Sequence, residues 1–105
     1  MITPEFSMTP DILRTLAADA CERYGRVSQE AASLIKDPRT TDGEKGLLSR
    51  LIETCSNAGA FLADAVVSPS DLEGYDRGAA ELSITLIDEF SDSLAAMRSE
   101  IEAST

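Results

Sequence analysis

Three stretches of this chain repeat apolar residues every three or four positions, the spacing that lines up one face of an α-helix. In the first, the stripe is Leu13, Leu16, Ala20, Tyr24, Val27, Ala31 and Leu34. Thr9-Pro10-Asp11 opens it with a capping hydroxyl, a proline that loses nothing at the first helical position, and an acid that complements the helix dipole. Asp37-Pro38 closes it, because the residue before a proline is pushed out of the helical region. In the second stretch, Thr41-Asp42-Gly43-Glu44 has the spacing of a capping box. Leu48, Leu51, Ile52, Cys55, Ala58, Leu62, Ala65 and Val66 then form a buried stripe that ends near Val67.

Ser68-Pro69-Ser70-Asp71 repeats the cap-then-proline signal and predicts a third helix. Its stripe is Leu72, Tyr75, Ala79, Leu82, Leu86, Phe90, Leu94, Met97 and Ile101. Gly74 and Gly78 lie one turn apart, each costing roughly 1 kcal/mol relative to Ala, so a break or kink between Glu73 and Ala79 would turn three helices into four. Connections as short as 36–41 and 67–69 force neighbouring helices to lie antiparallel. The pattern therefore predicts an all-α fold, an antiparallel three-helix up-down-up bundle over residues 9–105. Met1–Ser7, ahead of a second methionine at Met8, read as an expression scar, which sets residues 1–8 outside the domain.

The third helix carries a second apolar arc. With Leu82 as the reference and about 100° per residue, the core stripe spans roughly 0–120°. Ala80, Ile84, Ile87, Ser91 and Ala95 cluster at roughly 140–220°, and Glu81, Asp88, Glu89 and Asp92 at roughly 240–340°. A three-helix bundle can bury both apolar arcs, one against each neighbour. Left exposed, the second arc is an acid-rimmed apolar strip of the kind that binds a partner. Burying Ile84 and Ile87 would supply about 1.5–3 kcal/mol each, against about 0.2–1 kcal/mol for each rim ion pair. The candidate partner-binding residues are thus Ala80, Ile84, Ile87, Ser91 and Ala95 for affinity, with Glu81, Asp88 and Asp92 for steering. Phe61, at the edge of its helix beside Arg50, Thr54 and Asn57, is a lesser candidate. A wet Ile84–Ile87 strip also points to homodimerisation.

Charge sharpens the choice of partner. Residues 1–52 hold eight acids against seven bases, whereas 53–105 hold eleven acids against only Arg77 and Arg98. A net charge of −10 repels nucleic acid and anionic membrane surfaces, and a basic protein surface is the electrostatic complement. The longest uncharged run, Thr54 to Ala63, falls far short of the ~20 apolar residues of a membrane span. The expected location is the cytoplasm. With 43% apolar residues, the chain has enough to fold around a core.

The chemistry is bounded by what the chain lacks. It has no histidine, which removes the commonest general base and metal ligand. No phosphate-binding or dinucleotide motif occurs. Asp42-Gly43-Glu44 lacks the other carboxylates of a calcium loop, and the Asp88, Glu89 and Asp92 cluster reads as a solvated acidic face rather than a metal site. Cys21 and Cys55 read as reduced, structural thiols; antiparallel helices would bring them within about one turn in height, close enough to allow a bridge without predicting one. No enzyme, cofactor or metal is expected. The expectation is a small acidic helical regulatory protein that occupies a surface of another protein, as an antiactivator or inhibitor of a transcription regulator does. A secretion chaperone or antagonist has the same build, and the base-free interval from Gly78 to Met97 admits an acidic DNA mimic.

Overall fold

Two of the helices begin on side-chain caps that the sequence spells out. In the computed structural model, which describes residues 9–103, the Thr9 hydroxyl accepts the Ile12 amide at 3.3 Å and Pro10 opens α1 (Pro10–Ile35). The capping box of α2 (Asp42–Val67) is complete. The Glu44 amide donates to the Thr41 hydroxyl at 3.1 Å, and the Thr41 amide donates to the Glu44 carboxylate at 2.8 Å. The turn between them is held by its own polar groups. The Thr40 hydroxyl, buried, donates to the Leu34 carbonyl at 2.5 Å, and Asp37 takes both the Arg39 amide and its guanidinium.

The third helix starts later than Ser68-Pro69 suggests. Pro69–Asp71 make a single 3-10 turn with no side-chain cap from Ser68, and α3 (Gly74–Ala103) begins at Gly74. Gly74 takes φ +54°, a left-handed conformation in which a side chain would be strained. The break anticipated between Glu73 and Ala79 does not divide the helix, which begins at Gly74 itself. Gly78 lies inside a continuous helix, and no fourth α-helix forms among the described residues.

All three helices share one core, and no strand occurs among the described residues. Arg14 Nε donates to the Val66 carbonyl at 3.0 Å, and the Cys21 thiol to the Gly59 carbonyl at 3.4 Å, so α2 runs back along α1. Arg23 pairs with Asp88 and Glu30 with Arg98, so α3 runs in the same direction as α1. Much of the core is alanine: Ala17, Ala20, Ala31, Ala65 and Ala80 are sealed alongside Leu13, Leu48, Leu62, Ile87 and Ile101. Side chains this small let helix axes approach closely, and the closest partnership is α1 with α2. α3 packs chiefly on α1 and less on α2.

The stripes of α1 and α2 fall largely where the spacing puts them, and the departures are local on α1 and larger on α3. On α1 the sealed residue is Ala17, one position past the expected Leu16, which is partly exposed. On α3 the buried line is Ala80, Ile87, Leu94 and Ile101, while Tyr75 and Leu82 face outward. Tyr24 explains the setting. It is fully enclosed, and its hydroxyl donates to the Ser83 carbonyl at 2.5 Å while its ring meets Phe90 at 6.0 Å between centroids. Burial pushes that hydroxyl up to about 12, so it remains a donor at any physiological pH.

Two glycines give opposite predictions. A methyl group at Gly25 would meet nothing within 4 Å in mid-helix, so Gly25→Ala raises stability by about 1 kcal/mol. Gly74→Ala forces a side chain into left-handed backbone and lowers it by about 1–2 kcal/mol. Thermal melts check both, at about 4–8 °C per kcal/mol for a domain of this size. A third expectation concerns acid. Hydrogen bonds from the Arg39 side chain and amide hold the Asp37 carboxyl down from 3.8 to about 2. Stability from this pair is complete above pH about 4 and fades as pH falls toward 2. In NMR titration, Arg39→Ala should return Asp37 to the ordinary carboxylate range.

Candidate functional site: the exposed apolar end

The residues expected to form one partner-binding strip are divided by the fold. Ala80 and Ile87 are sealed in the core, Ile87 at 1% exposure, and Ile84 is half-buried against it. Ser91 is half-buried in a 170 Å³ pocket of the α1–α3 seam, beside Arg23, Val27 and Leu94. Ala95 is exposed, and Phe61 is half-buried against the core. The acids are divided as well. Glu81, at 6% exposure, takes the Arg77 guanidinium at 3.0 Å, and Asp88 takes that of Arg23. Asp92 is exposed. The expectation of a wet Ile84–Ile87 strip is corrected: the buried line of α3 runs between the two arcs, taking Ala80 and Ile87 from the second and Leu94 and Ile101 from the first, while Tyr75 and Leu82 are left outside.

That setting of α3 exposes part of the first arc. Leu82 is 58% exposed and Tyr75 88%. Both had the spacing of core residues, and periodicity alone cannot say which of two apolar arcs faces inward. Complementary charge across the seam is the signal that could have decided it. Arg23 and Glu30 on α1 face Asp88 and Arg98 on α3 only when α3 is set as it is.

Tyr75 and Leu82 belong to a larger group. Ile12 and Leu16 at the start of α1 and Val67 at the end of α2 are also exposed. The Arg14–Val66 hydrogen bond brings the start of α1 to the end of α2. The 3-10 turn packs on both helices and leads directly into α3. Five of the six large exposed apolar residues among the described ones thus lie at one end of the molecule, with Leu47 at the other. Within this end, Gly74, Tyr75, Gly78, Ala79, Glu81, Leu82 and Thr85 line a pocket of about 580 Å³.

The charges at this end are lopsided. Asp11, Asp64, Asp71, Glu73, Asp76 and Glu81 stand against Arg14 and Arg77. Both bases are committed, Arg14 to the Val66 carbonyl and Arg77 to Glu81. What remains is an apolar surface inside a negative field. The two cysteines lie elsewhere, lining a groove between α1 and α2. Both are free thiols, and burial pushes both up, away from the reactive thiolate. Among the described residues no group of three or more His, Cys, Asp or Glu could hold a metal ion, and no helix is long and apolar enough to cross a membrane.

Comparison with protein families, with curated proteins and with solved structures finds no match to this chain.

The division of α3 into a buried and an exposed arc has a direct test in urea denaturation. Ile87→Ala should cost about 2–5 kcal/mol, as truncations in closed cores do. Leu82→Ala should change stability by no more than about 0.5 kcal/mol.

Proposed function

We propose that this chain is a small acidic three-helix up-down-up bundle that acts in the cytoplasm as a regulatory protein, sequestering a basic-surfaced protein such as a transcription regulator. The observation that carries this reading is the gathering of Ile12, Leu16, Val67, Tyr75 and Leu82 at one end, among uncompensated acids. An exposed apolar patch is costly in water and is characteristic of a surface that another molecule covers. Its aromatic member is of the type that anchors interfaces. The acids speed encounter and fix orientation, while apolar burial supplies the affinity.

The homodimer expected from a wet Ile84–Ile87 strip loses its driving force, since Ile87 is covered within one chain. The acidic DNA mimic is also weakened. Two of the acids it needs, Glu81 and Asp88, are tied to Arg77 and Arg23, which interrupts any row of phosphate-like charges.

The test is capture of partners from the source cell with the wild type, with Tyr75→Asp/Leu82→Asp, and with Ala95→Asp as a control on the strip side of α3. A protein retained by wild type and Ala95→Asp and lost from the double variant is the expected result. Its complex should persist in high salt while association slows, because screening removes steering but not apolar burial. Equal retention by the double variant overturns the reading, and a steep loss of affinity with salt favours mimicry.

A further inference from the structure

We infer that the first turns of α3 form a docking saddle for one amphipathic helix of a partner protein, a helix with basic residues flanking its apolar face. This deepens the function proposed above and rests on it. Tyr75 and Leu82 are seven residues apart on one face, which places them two turns or about 10 Å apart along the axis. Between these two posts the chain has only Gly78 and Ala79, and the pocket of about 580 Å³ opens there. That gap admits one row of side chains from a crossing helix, as when the ridge of one helix enters the groove of another. A helix laid across α3 would set an apolar residue on the Gly78–Ala79 floor and be gripped on either side by the tyrosine ring and the leucine. No strand is present among the described residues to recruit an extended peptide as an added strand, so the helix-in-groove mode is the one this surface supports.

Charge identifies the occupant. Glu73 and Asp76 are exposed and lie in the chain on either side of Gly74-Tyr75, the first post of the saddle, while Glu81 lines its wall with its charge already paired to the Arg77 guanidinium. A second copy of this chain would bring the same acids face to face and be repelled, as would an anionic lipid surface. Lysines or arginines on either side of an apolar stripe are complementary.

The chain contains no tryptophan, so a tryptophan in a peptide reports binding without interference. The probe is a synthetic helix of about five turns with leucines along one face, lysine and arginine on its flanks, and one tryptophan within the leucine face. Two controls share its length: one with glutamate on the flanks, and one with the same composition shuffled to destroy the apolar face. With the full chain, the expected result is blue-shifted emission for the basic amphipathic peptide and at least about tenfold weaker binding for both controls, consistent with the loss of a hot-spot contact. Tyr75→Ser/Leu82→Ser, and separately Glu73→Lys/Asp76→Lys, should each weaken it by a similar factor while circular dichroism stays unchanged. Amide shifts in the complex should centre on residues 74–85.

No binding of the basic amphipathic peptide overturns the inference, as does equal binding of the shuffled one, which would mean charge alone. So does binding indifferent to the Tyr75/Leu82 pair. Light scattering that shows a dimer dissolved by the same variants would assign the saddle to a second copy instead. If the peptide fails but cellular capture still depends on Tyr75 and Leu82, the helix mode falls and the regulatory reading stands. If the peptide binds at the saddle and no cellular partner depends on it, the reverse holds.

Discussion

The setting of α3 about its own axis decides what this molecule shows to water, and Tyr24 fixes it. Its side chain is wholly enclosed, and a phenol hydroxyl buried without a partner costs about 1–3 kcal/mol. The Ser83 carbonyl supplies that partner and Phe90 the ring contact. With those two points held, Ala80, Ile87, Leu94 and Ile101 are driven inward and Tyr75 and Leu82 outward. The exposed ion pairs Arg23–Asp88 and Glu30–Arg98 add little energy at the surface, about 0.2–1 kcal/mol each, but they agree on the same rotation. Rotating α3 to bury Leu82 would orphan the tyrosine hydroxyl and separate both pairs.

Local signals in the sequence were readable because each is a short-range contact. The Thr9 cap, the Thr41–Glu44 capping box and the end of α1 ahead of Pro38 depend on residues within a few positions of one another. Helical periodicity was equally legible, since any amphipathic helix must bury one arc. What periodicity cannot carry is phase when two arcs are apolar, and α3 has two. Large side chains drew the expected stripe through Tyr75 and Leu82, but packing against an alanine-rich α1 favours the arc that begins with Ala80. The same effect on α1 moved burial from Leu16 to Ala17. Of the candidate site, Asp88 and Asp92 of the acidic rim are exposed, Asp88 in a pair with Arg23, and Glu81 is not; of the apolar strip, Ala95 is exposed while Ala80 and Ile87 are not. The late start of α3 was hidden for another reason. Ser68-Pro69 is a sound helix opening in isolation, and only the chain's path over α1 and α2 confines it to one 3-10 turn.

The imbalance of charge between the two halves acquires a structural meaning once the pairs are known. The bases of the first half are largely spent within the fold: Arg14 on the end of α2, Arg23 on Asp88, Arg26 on Glu22 and Arg39 on Asp37. Arg98 and Arg77, the two bases of the second half, are paired as well. Three of these bases, Arg14, Arg23 and Arg98, tie one helix to another, while Arg26, Arg39 and Arg77 pair within their own segment. A surplus of one sign opposes self-association and favours a partner of opposite sign.

Close packing of α1 on α2 has a cost on the far side of the third helix. Alanines and glycines that bring two helices together leave less apolar area to receive a third, so α3 rests chiefly on α1 and keeps part of its apolar surface uncovered. That uncovered part lies at the helix start, where Gly74 and Gly78 remove side chains and a saddle results. Core packing is thereby concentrated in one arc of α3 and exposed apolar surface in another, on residues that share a helix but not a face. Such a division lets the exposed arc be tailored to a partner by substitution without unsettling the core, because the side chains that change have no packing role to lose. The strongest constraint in the fold, a buried tyrosine with one available acceptor, and its most available surface thus arise from the same rotation of one helix.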